Sequence, residues 1–361
     1  MSELIDPVVG PAIEPSEPSA MRAPRLARHT ITLDDGHVVG LAVSGRGVPI
    51  VVIHGFTAEG FLYAQTLNRL VQRGFKVVAI DMASHGSTEG LPLAGSDLAA
   101  YGRLLGRAVD ELGIKRAIFA GHSMGGRCIT DYASVNPDRA IALMLLDAIV
   151  GDTWDRMVLA FRLAPWLMVP FGGALLVDSM STVPMLSDRE QAAKFLRLLA
   201  PTLIGHALQP WRLIGPAFSI IRSSASGPLL EDLADARVPT FVIQGDRDAI
   251  VPFCTARDAA RRSGGQLVRV HGAGHSWLLK DPETLPAIVE DLLQDRLGVA
   301  IRGALSAAGL SAAGAEGLAE LEEACYEPDA KILALTPALD WTPSGETYPE
   351  PRYDWTVSEP S

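Results

Sequence analysis

Ala120-Gly121-His122-Ser123-Met124-Gly125-Gly126 is the stretch whose reading decides the fold. An apolar, β-like run, Arg116-Ala117-Ile118-Phe119, leads into it, and a helical pattern from Arg127 to Val135 follows. Gly-x-Ser-x-Gly between a strand and a helix reads as a nucleophile elbow. Such a turn leaves no room for a Cβ beside the serine, which is the steric reason for Gly121 and Gly125. It lifts the Ser123 hydroxyl above the sheet and aims the first N–H groups of the helix at any negative charge developing beside it. The competing reading is a Gly-rich turn whose serine caps a helix. The strand before and the helix after favour the elbow.

Working outward, the same alternation repeats. Val48–His54 is a continuous apolar run, as expected of a strand buried on both faces, and Phe75–Ile80, Ala117–Ala120, Ile141–Leu146, Thr240–Ile243 and Gln266–Val270 read as further strands. Helical patterns lie between or after them, at Phe61–Arg73, Leu98–Leu112 (with Ser96 and Asp97 at its start), Cys254–Arg262 and Glu283–Leu297. Strands alternating with helices predict βαβ units and a mostly parallel twisted sheet flanked by helices. Ile31–Ser44 alternates around Asp34-Asp35-Gly36, a hairpin signal. After Asp147 the rhythm stops, and residues 150–238 are helical in composition and rich in Trp, Met and Phe. That is the pattern of an α-helical cap inserted into the sheet domain, most of whose large apolar groups pack its own helices while a minority line a pocket. The expected division is an arm over 1–29, core over 30–149, cap over 150–238, core over 239–297 and an extension over 298–361.

The composition narrows the function classes. The chain has 361 residues, 48% of them hydrophobic, enough for a large core. Its formal net charge is −11, of which the segment from residue 300 carries −8 through eleven acids and three bases. No basic footprint for nucleic acid is present. Cys128, Cys254 and Cys325 are scattered and odd in number, which implies neither a disulfide framework nor a metal site and suggests a reducing, cytoplasmic setting. No apolar run reaches the ~18 residues a membrane span needs. The nearest, Leu163–Val177, is interrupted by Pro165, Pro170, Gly172 and Gly173. No stable membrane anchor is therefore expected.

A serine nucleophile needs a base, an orienting acid and an oxyanion site. His275 follows the last buried strand, and strand ends on the carboxyl edge of a parallel sheet open onto one crevice, so His275 is the candidate base. His271 is nearer the strand and is its rival. Asp248, in Gly245-Asp246-Arg247-Asp248, precedes His275 by 27 residues and is the preferred orienting acid. Asp246 competes with it by one register of the loop, and Asp147 stands outside as a third choice. The backbone N–H of Met124 and of Phe56, the latter after His54-Gly55, are the expected oxyanion donors. Gly55 permits close approach there, and His54 and His122 are expected to orient loops.

Together these segments resemble the α/β-hydrolase superfamily, of the kind with a helical cap after the strand that follows the elbow strand. The resemblance spans Ile31 to Leu297. It rests on His54-Gly55-Phe56, Asp81-Met82-Ala83-Ser84-His85-Gly86-Ser87, Gly121 to Gly126, Gly245-Asp246-Arg247-Asp248 with Val251-Pro252, and Gly274-His275. Ser84 departs from the pattern, which usually has glycine there. The resemblance implies hydrolysis of a carboxylic ester with a sizeable apolar part, without metal or organic cofactor. Alternatives with the same triad are a carbon–carbon bond hydrolase, for which Arg162 and Arg212 are the available cap bases, and a cofactor-free perhydrolase or haloperoxidase. A small-molecule receptor on the same fold is an alternative of another class. The extension has no counterpart in the pattern. Its aromatic residues Trp341, Tyr348, Tyr353 and Trp355 suggest docking onto the hydrolase surface or onto a second copy in a homo-oligomer.

Overall fold

The computed structural model describes residues 26–56, 63–93, 96–181, 204–205, 208–310, 318–335 and 349–358. Its strands are β1 (Ala27–Thr32), β2 (Val38–Ser44), β3 (Pro49–Ile53), β4 (Lys76–Ile80), β5 (Ala117–His122), β6 (Ala140–Leu146), β7 (Thr240–Gly245), β8 (Gln266–Val270) and β9 (Trp355–Ser358). They form one sheet in the order β1-β2-β4-β3-β5-β6-β7-β8-β9. Strands β3 to β8 are parallel, whereas β1, β2 and β9 run antiparallel to their neighbours. Every residue of β3, β4, β5 and β7 is buried, which is why these strands are continuous apolar runs rather than alternating ones.

The helices are α1 (Ala64–Gln72), α2 (Leu98–Glu111), α3 (Met124–Val135), α4 (Asp152–Leu163), α5 (Met168–Ser181), α6 (Ile214–Arg222), α7 (Gly227–Asp235), α8 (Phe253–Ser263), α9 (Trp277–Lys280), α10 (Thr284–Gln294), α11 (Arg296–Ala307), α12 (Leu318–Cys325) and α13 (Lys331–Leu335). Asp97 caps α2, its side chain accepting the Ala100 N–H at 3.0 Å. Register sets the site. Ile53 stands beside Gly121, Leu146 beside both His122 and Ile243, and Gly245 beside Val270. The carboxyl ends of β3, β5, β6, β7 and β8 therefore share one rim, and the loops bearing His54, Ser123, Asp147, Asp248 and His275 all leave from it. Strand order reverses at β3, the switch point where ligand crevices form in such sheets.

Two boundaries differ from the expectation. The arm ends earlier than residue 29, because β1 begins at Ala27 and Leu26 is buried. The helix expected over 283–297 is two helices, broken where Asp295 adopts φ −121° and ψ −128°. In the cap, Trp154 and Phe161 are buried, and Phe171 packs against both at ring distances of 6.0 and 5.2 Å. Trp166, Trp211 and Phe218 instead face outward, with Trp166 70% exposed. Met185 and Phe195 lie outside the described residues. No single described helix is long and apolar enough to cross a membrane; Asp152–Leu163 and Pro165–Leu175 together have that length and composition but are bent by 117°.

The chain re-enters the core behind α3. The Arg127 guanidinium is buried, pairs with Asp131 at 2.7 Å and donates to the carbonyl and hydroxyl of Ser224, between α6 and α7. The extension covers the amino ends of the central strands. Tyr326 donates to the Gly47 carbonyl at 2.9 Å, Arg46 holds Glu322 through two bonds of 3.1 Å, and Ile332 is buried. Farther on, β9 pairs with β8, and Trp355 donates to Asp291 at 2.9 Å. Tyr353 and Trp355 thus dock onto the chain's own sheet domain, while Trp341 and Tyr348 lie outside the described residues.

The Lys76 ammonium is buried under the Tyr326 ring, 5.9 Å from its centroid. Burial pushes its pKa down to about 8 from 10.5, against the pull of Glu322. Between those values the unfolded chain holds a proton that the folded chain has released. Stability should therefore rise with pH across that window, by up to ~1.4 kcal/mol per pH unit from this one group. Lys76→Met should flatten the rise, measured by urea denaturation across the window.

Candidate active site

The elbow is as tight as its glycines imply. A Cβ on Gly121 would lie 2.4 Å from the Gly125 carbonyl oxygen, and one on Gly125 would lie 2.3 Å from the Ile53 oxygen. Helix α3 is thereby pressed against the end of β3. Ser123 sits at φ 53°, a left-handed conformation that costs a non-glycine residue about 1–3 kcal/mol. Its N–H is held by the Leu146 carbonyl at 2.9 Å, and its hydroxyl does not cap α3.

The structure brings Ser123, His275 and Asp248 together. His275 Nε2 lies 3.1 Å from Ser123 Oγ, and Nδ1 lies 2.7 Å from Asp248 Oδ2. All three are buried. Burial alone would depress the His275 pKa, but the charge and hydrogen bond of Asp248 outweigh it and the net shift is upward. Asp248 is itself fixed. Its Oδ1 accepts the N–H groups of Ile250 and Val251, each at 2.8 Å, and its Oδ2 accepts the Gln244 amide at 2.9 Å. The rival Asp246 points to the other side of the loop, where it accepts Gly272 N–H at 2.7 Å and Arg269 Nε–H at 3.0 Å. The rival base His271 stays near Asp246, 3.4 Å away, and faces β9 rather than Ser123.

Asp147 is the third carboxylate, wholly buried at φ 45°. It does not bond His275. Its oxygens accept the Gly245 N–H at 2.9 Å and the Trp277 indole N–H at 2.5 Å. Burial, and then the nearby charge of Asp248, push its pKa well up. It ties the ends of β6 and β7 to the segment just after His275.

His54 and His122 do orient loops. His54 Nε2 accepts the Met82 N–H at 2.9 Å, so the proton sits on Nδ1, which donates to the Gly55 carbonyl at 2.8 Å. That carbonyl belongs to the same planar trans peptide as the Phe56 N–H, so pinning one points the other the opposite way. Gly55 is where the loop passes Ser123, since a Cβ there would come within 3.2 Å of Ser123 Cβ and 2.9 Å of His122 Nδ1. The Phe56 carbonyl is held in turn by His85. Met124 is the first residue of α3, the other donor position expected at the nucleophile.

His122 Nε2 donates to the His275 carbonyl at 3.0 Å, which leaves Nδ1 to accept the Tyr63 hydroxyl at 3.0 Å. The Gly55 backbone hydrogen-bonds the same Tyr63 hydroxyl. A fixed chain thus runs from Gly55 through Tyr63 and His122 to His275. Tyr63, Gln244, Trp277 and the cap residue Asp178 are the contributors that the sequence reading missed. Asp178 accepts the Ser276 N–H at 3.0 Å and its hydroxyl at 2.6 Å. The nearest signals were position: Gln244 and Trp277 flank recognised motifs, whereas nothing local marks Tyr63 or Asp178. The cap bases Arg162 and Arg212 are bonded to backbone carbonyls, Arg162 to Ile221 and Ser223 and Arg212 to Gly86 and Thr88. Ser84, where glycine is usual, holds the left-handed φ of 69° that glycine would adopt freely. Among the described residues, no group of three or more His, Cys, Asp or Glu is arranged to hold a metal ion.

A sequence model described as the alpha/beta hydrolase family matches residues 50–288, and the chain belongs to that family. A relative from Mycobacterium phage D29, provisionally named a non-heme haloperoxidase, is 34% identical over 279 residues, 75% of this chain and 96% of the relative. A non-heme chloroperoxidase of Streptomyces lividans is 24% identical and covers 71% of this chain and 96% of its own. Among solved structures, a thermophilic esterase from Thermogutta terrifontis superposes with a TM-score of 0.57 at 21% identity, covering 74% of this chain and 98% of that one, which shows the shared fold.

Burial, reinforced by the nearby His275, pushes the His122 pKa down to about 3 from 6.5, so the ring is neutral in the folded chain. As pH falls below 6.5 the unfolded chain gains a proton that the folded one cannot. Stability should drop by up to ~1.4 kcal/mol per pH unit from this group. His122→Gln should weaken the fold near neutrality yet show a shallower acid loss, read from urea midpoints at successive pH steps below 6.5.

Proposed function

We propose that the chain is a serine hydrolase of carboxylic esters with a sizeable apolar part, acting through an acyl-enzyme. The observation that carries this reading is the unbroken contact from Ser123 Oγ through the His275 ring to Asp248, with spans of 3.1 and 2.7 Å. His275 takes the Ser123 proton as the oxygen attacks the ester carbonyl. Asp248 keeps Nδ1 protonated and stabilises the imidazolium. The Phe56 and Met124 N–H groups receive the developing oxyanion, each worth about 3 kcal/mol in the barrier. Preorganisation is the reason for His54, which fixes the Phe56 donor before substrate arrives. His275 then protonates the departing alcohol, and a water activated by the same ring releases the acid.

Two observations support an ester over a dienol acid and its carbon–carbon cleavage. The cap bases Arg162 and Arg212 are engaged with backbone carbonyls rather than free to hold a carboxylate. The cap also brings large apolar side chains, such as Met157 and Phe171, to its inner packing. The names of the haloperoxidase relatives support a second reading: the same acyl-enzyme is intercepted by hydrogen peroxide instead of water and yields a peracid. Bromination that depends on both peroxide and a short carboxylic acid, at rates matching ester turnover, would favour it.

Steady turnover of p-nitrophenyl butyrate is the direct test, and a receptor would show none. Ser123→Ala should cut kcat/KM by at least ~10⁴-fold without unfolding the chain. Asp248→Asn should lower kcat by about 10³–10⁴-fold. Because Asp248 raises the His275 pKa and only the unprotonated ring is a base, the acid limb of the residual activity should also move to lower pH.

A further inference from the structure

We infer that the C-terminal segment 349–358 is a positioning element for the loop that carries His275; this rests on the ester-hydrolase reading above. The loop runs from His271 to Thr284, and the segment grips it at both ends and in the middle. At the start, the His271 N–H donates to the Asp354 carbonyl at 2.8 Å, and the His271 ring contacts the Thr356 hydroxyl at 3.2 Å. The strand β9 fixes the register at that end, with Trp355 beside Val270. At the finish, Asp281 Oδ2 accepts the Arg352 N–H at 2.9 Å, and Thr284 Oγ1 accepts the Tyr353 N–H at 3.3 Å. The same Asp281 oxygen takes the Thr284 N–H at 3.1 Å, so the segment is bonded to the residue that starts α10.

In the middle, the Tyr353 ring meets Trp277 edge-on, with centroids 6.4 Å apart. Trp277 is two residues past His275, is wholly buried and donates to Asp147. Push on Tyr353 is therefore transmitted to the residue whose indole anchors the catalytic loop to β6. From the opposite side, His122 holds the His275 carbonyl. The imidazole is thus placed between a core contact and a C-terminal one. The segment lies beyond residue 288, where the family match ends, so this clamp is an addition to the part of the chain that the family defines. Tyr353 touches none of Ser123, His275 and Asp248 and acts only through Trp277 and the loop backbone. It is a positioning residue.

A displacement of ~1 Å in a catalytic group can cost about 10²-fold in rate. Tyr353→Ala combined with Trp355→Ala in the full chain should lower kcat on p-nitrophenyl butyrate by 10- to 100-fold while KM stays within about threefold. The acid limb should move toward the ordinary histidine value as the Asp248 contact loosens. Hydrogen exchange at residues 274–284 should quicken at least tenfold, with α3 and β5 unchanged. A chain ending at residue 348 should behave the same way, and added peptide of residues 349–358 should restore its kcat. A merely structural role would lower the melting temperature but leave kcat, the acid limb and the local exchange of the still-folded protein untouched. That result, in folded double variant or truncation, overturns the inference; if the truncation does not fold, the double variant decides. Absence of ester turnover by the unaltered chain would instead defeat the hydrolase reading, and the exchange experiment would then decide the clamp alone.

Discussion

The contact between the backbone of Gly125 and the end of β3 is the constraint from which the rest of the site follows. Any side chain at Gly125 would occupy the space of the Ile53 and His54 carbonyl oxygens. With none present, α3 starts against β3, and the first turn of the helix lies beside the His54-Gly55-Phe56 loop. Closeness there has a cost, paid as the left-handed backbone of Ser123. It also gathers the site: a strained serine, the start of α3 and the His54-Gly55-Phe56 loop are brought side by side. The neighbouring glycines extend the same logic. Gly126 lets Ala148 pack against the helix, and Gly245 lets the Ala273 backbone pass β7, which brings the histidine loop to the rim.

Preorganisation in this site is carried by neutral hydrogen bonds more than by charge. His54 and His122 are both held in one tautomer, because each has one nitrogen facing a donor and the other facing a carbonyl. His122 cannot become protonated without losing the bond from Tyr63, and burial opposes it further. The one strong charge effect is reserved for His275, where Asp248 overcomes the burial penalty. Asp147 shows why that selectivity matters. It is equally buried, yet its oxygens are occupied by Gly245 and Trp277, so it braces the loop rather than competing with Asp248 for the imidazole.

Legibility in the sequence followed the physics of each feature. The central parallel strands β3, β4, β5 and β7 were visible because burial on both faces favours runs of Val, Ile and Leu, and the elbow was visible because its glycines admit no substitute. The choice between Asp246 and Asp248 was not fully determined, since it turns on which carboxylate faces the Ile250 and Val251 N–H groups after a turn. Tyr63 and Asp178 left no trace because a hydroxyl or carboxylate acquires its role there only from neighbours distant in the chain. Strand β9 was missed for another reason. Four residues flanked by prolines and acids carry no usable period, and the pairing energy comes from the waiting edge of β8. The edge strand β1, alternating and half exposed, blurred into the arm for the same lack of burial.

The loop from His271 to Thr284 is where separately encoded parts of the chain meet. The core holds it through His122 and Asp147, the cap through Asp178 on Ser276, and the C-terminal segment through Tyr353 and Asp354. On the proposed hydrolase reading, a general base would have to be stiff along the direction of the serine oxygen, while the helices over the site would have to let substrate in. Those demands conflict if the cap is the main support of the loop, because every opening would then disturb the imidazole. Supporting the loop at both ends from a segment paired to β8 removes that conflict. Asp178 bonds Ser276 in the middle of the loop, whereas the His271 and Thr284 ends are bonded to the C-terminal segment, so on the proposed hydrolase reading the placement of His275 would not rest on the cap alone.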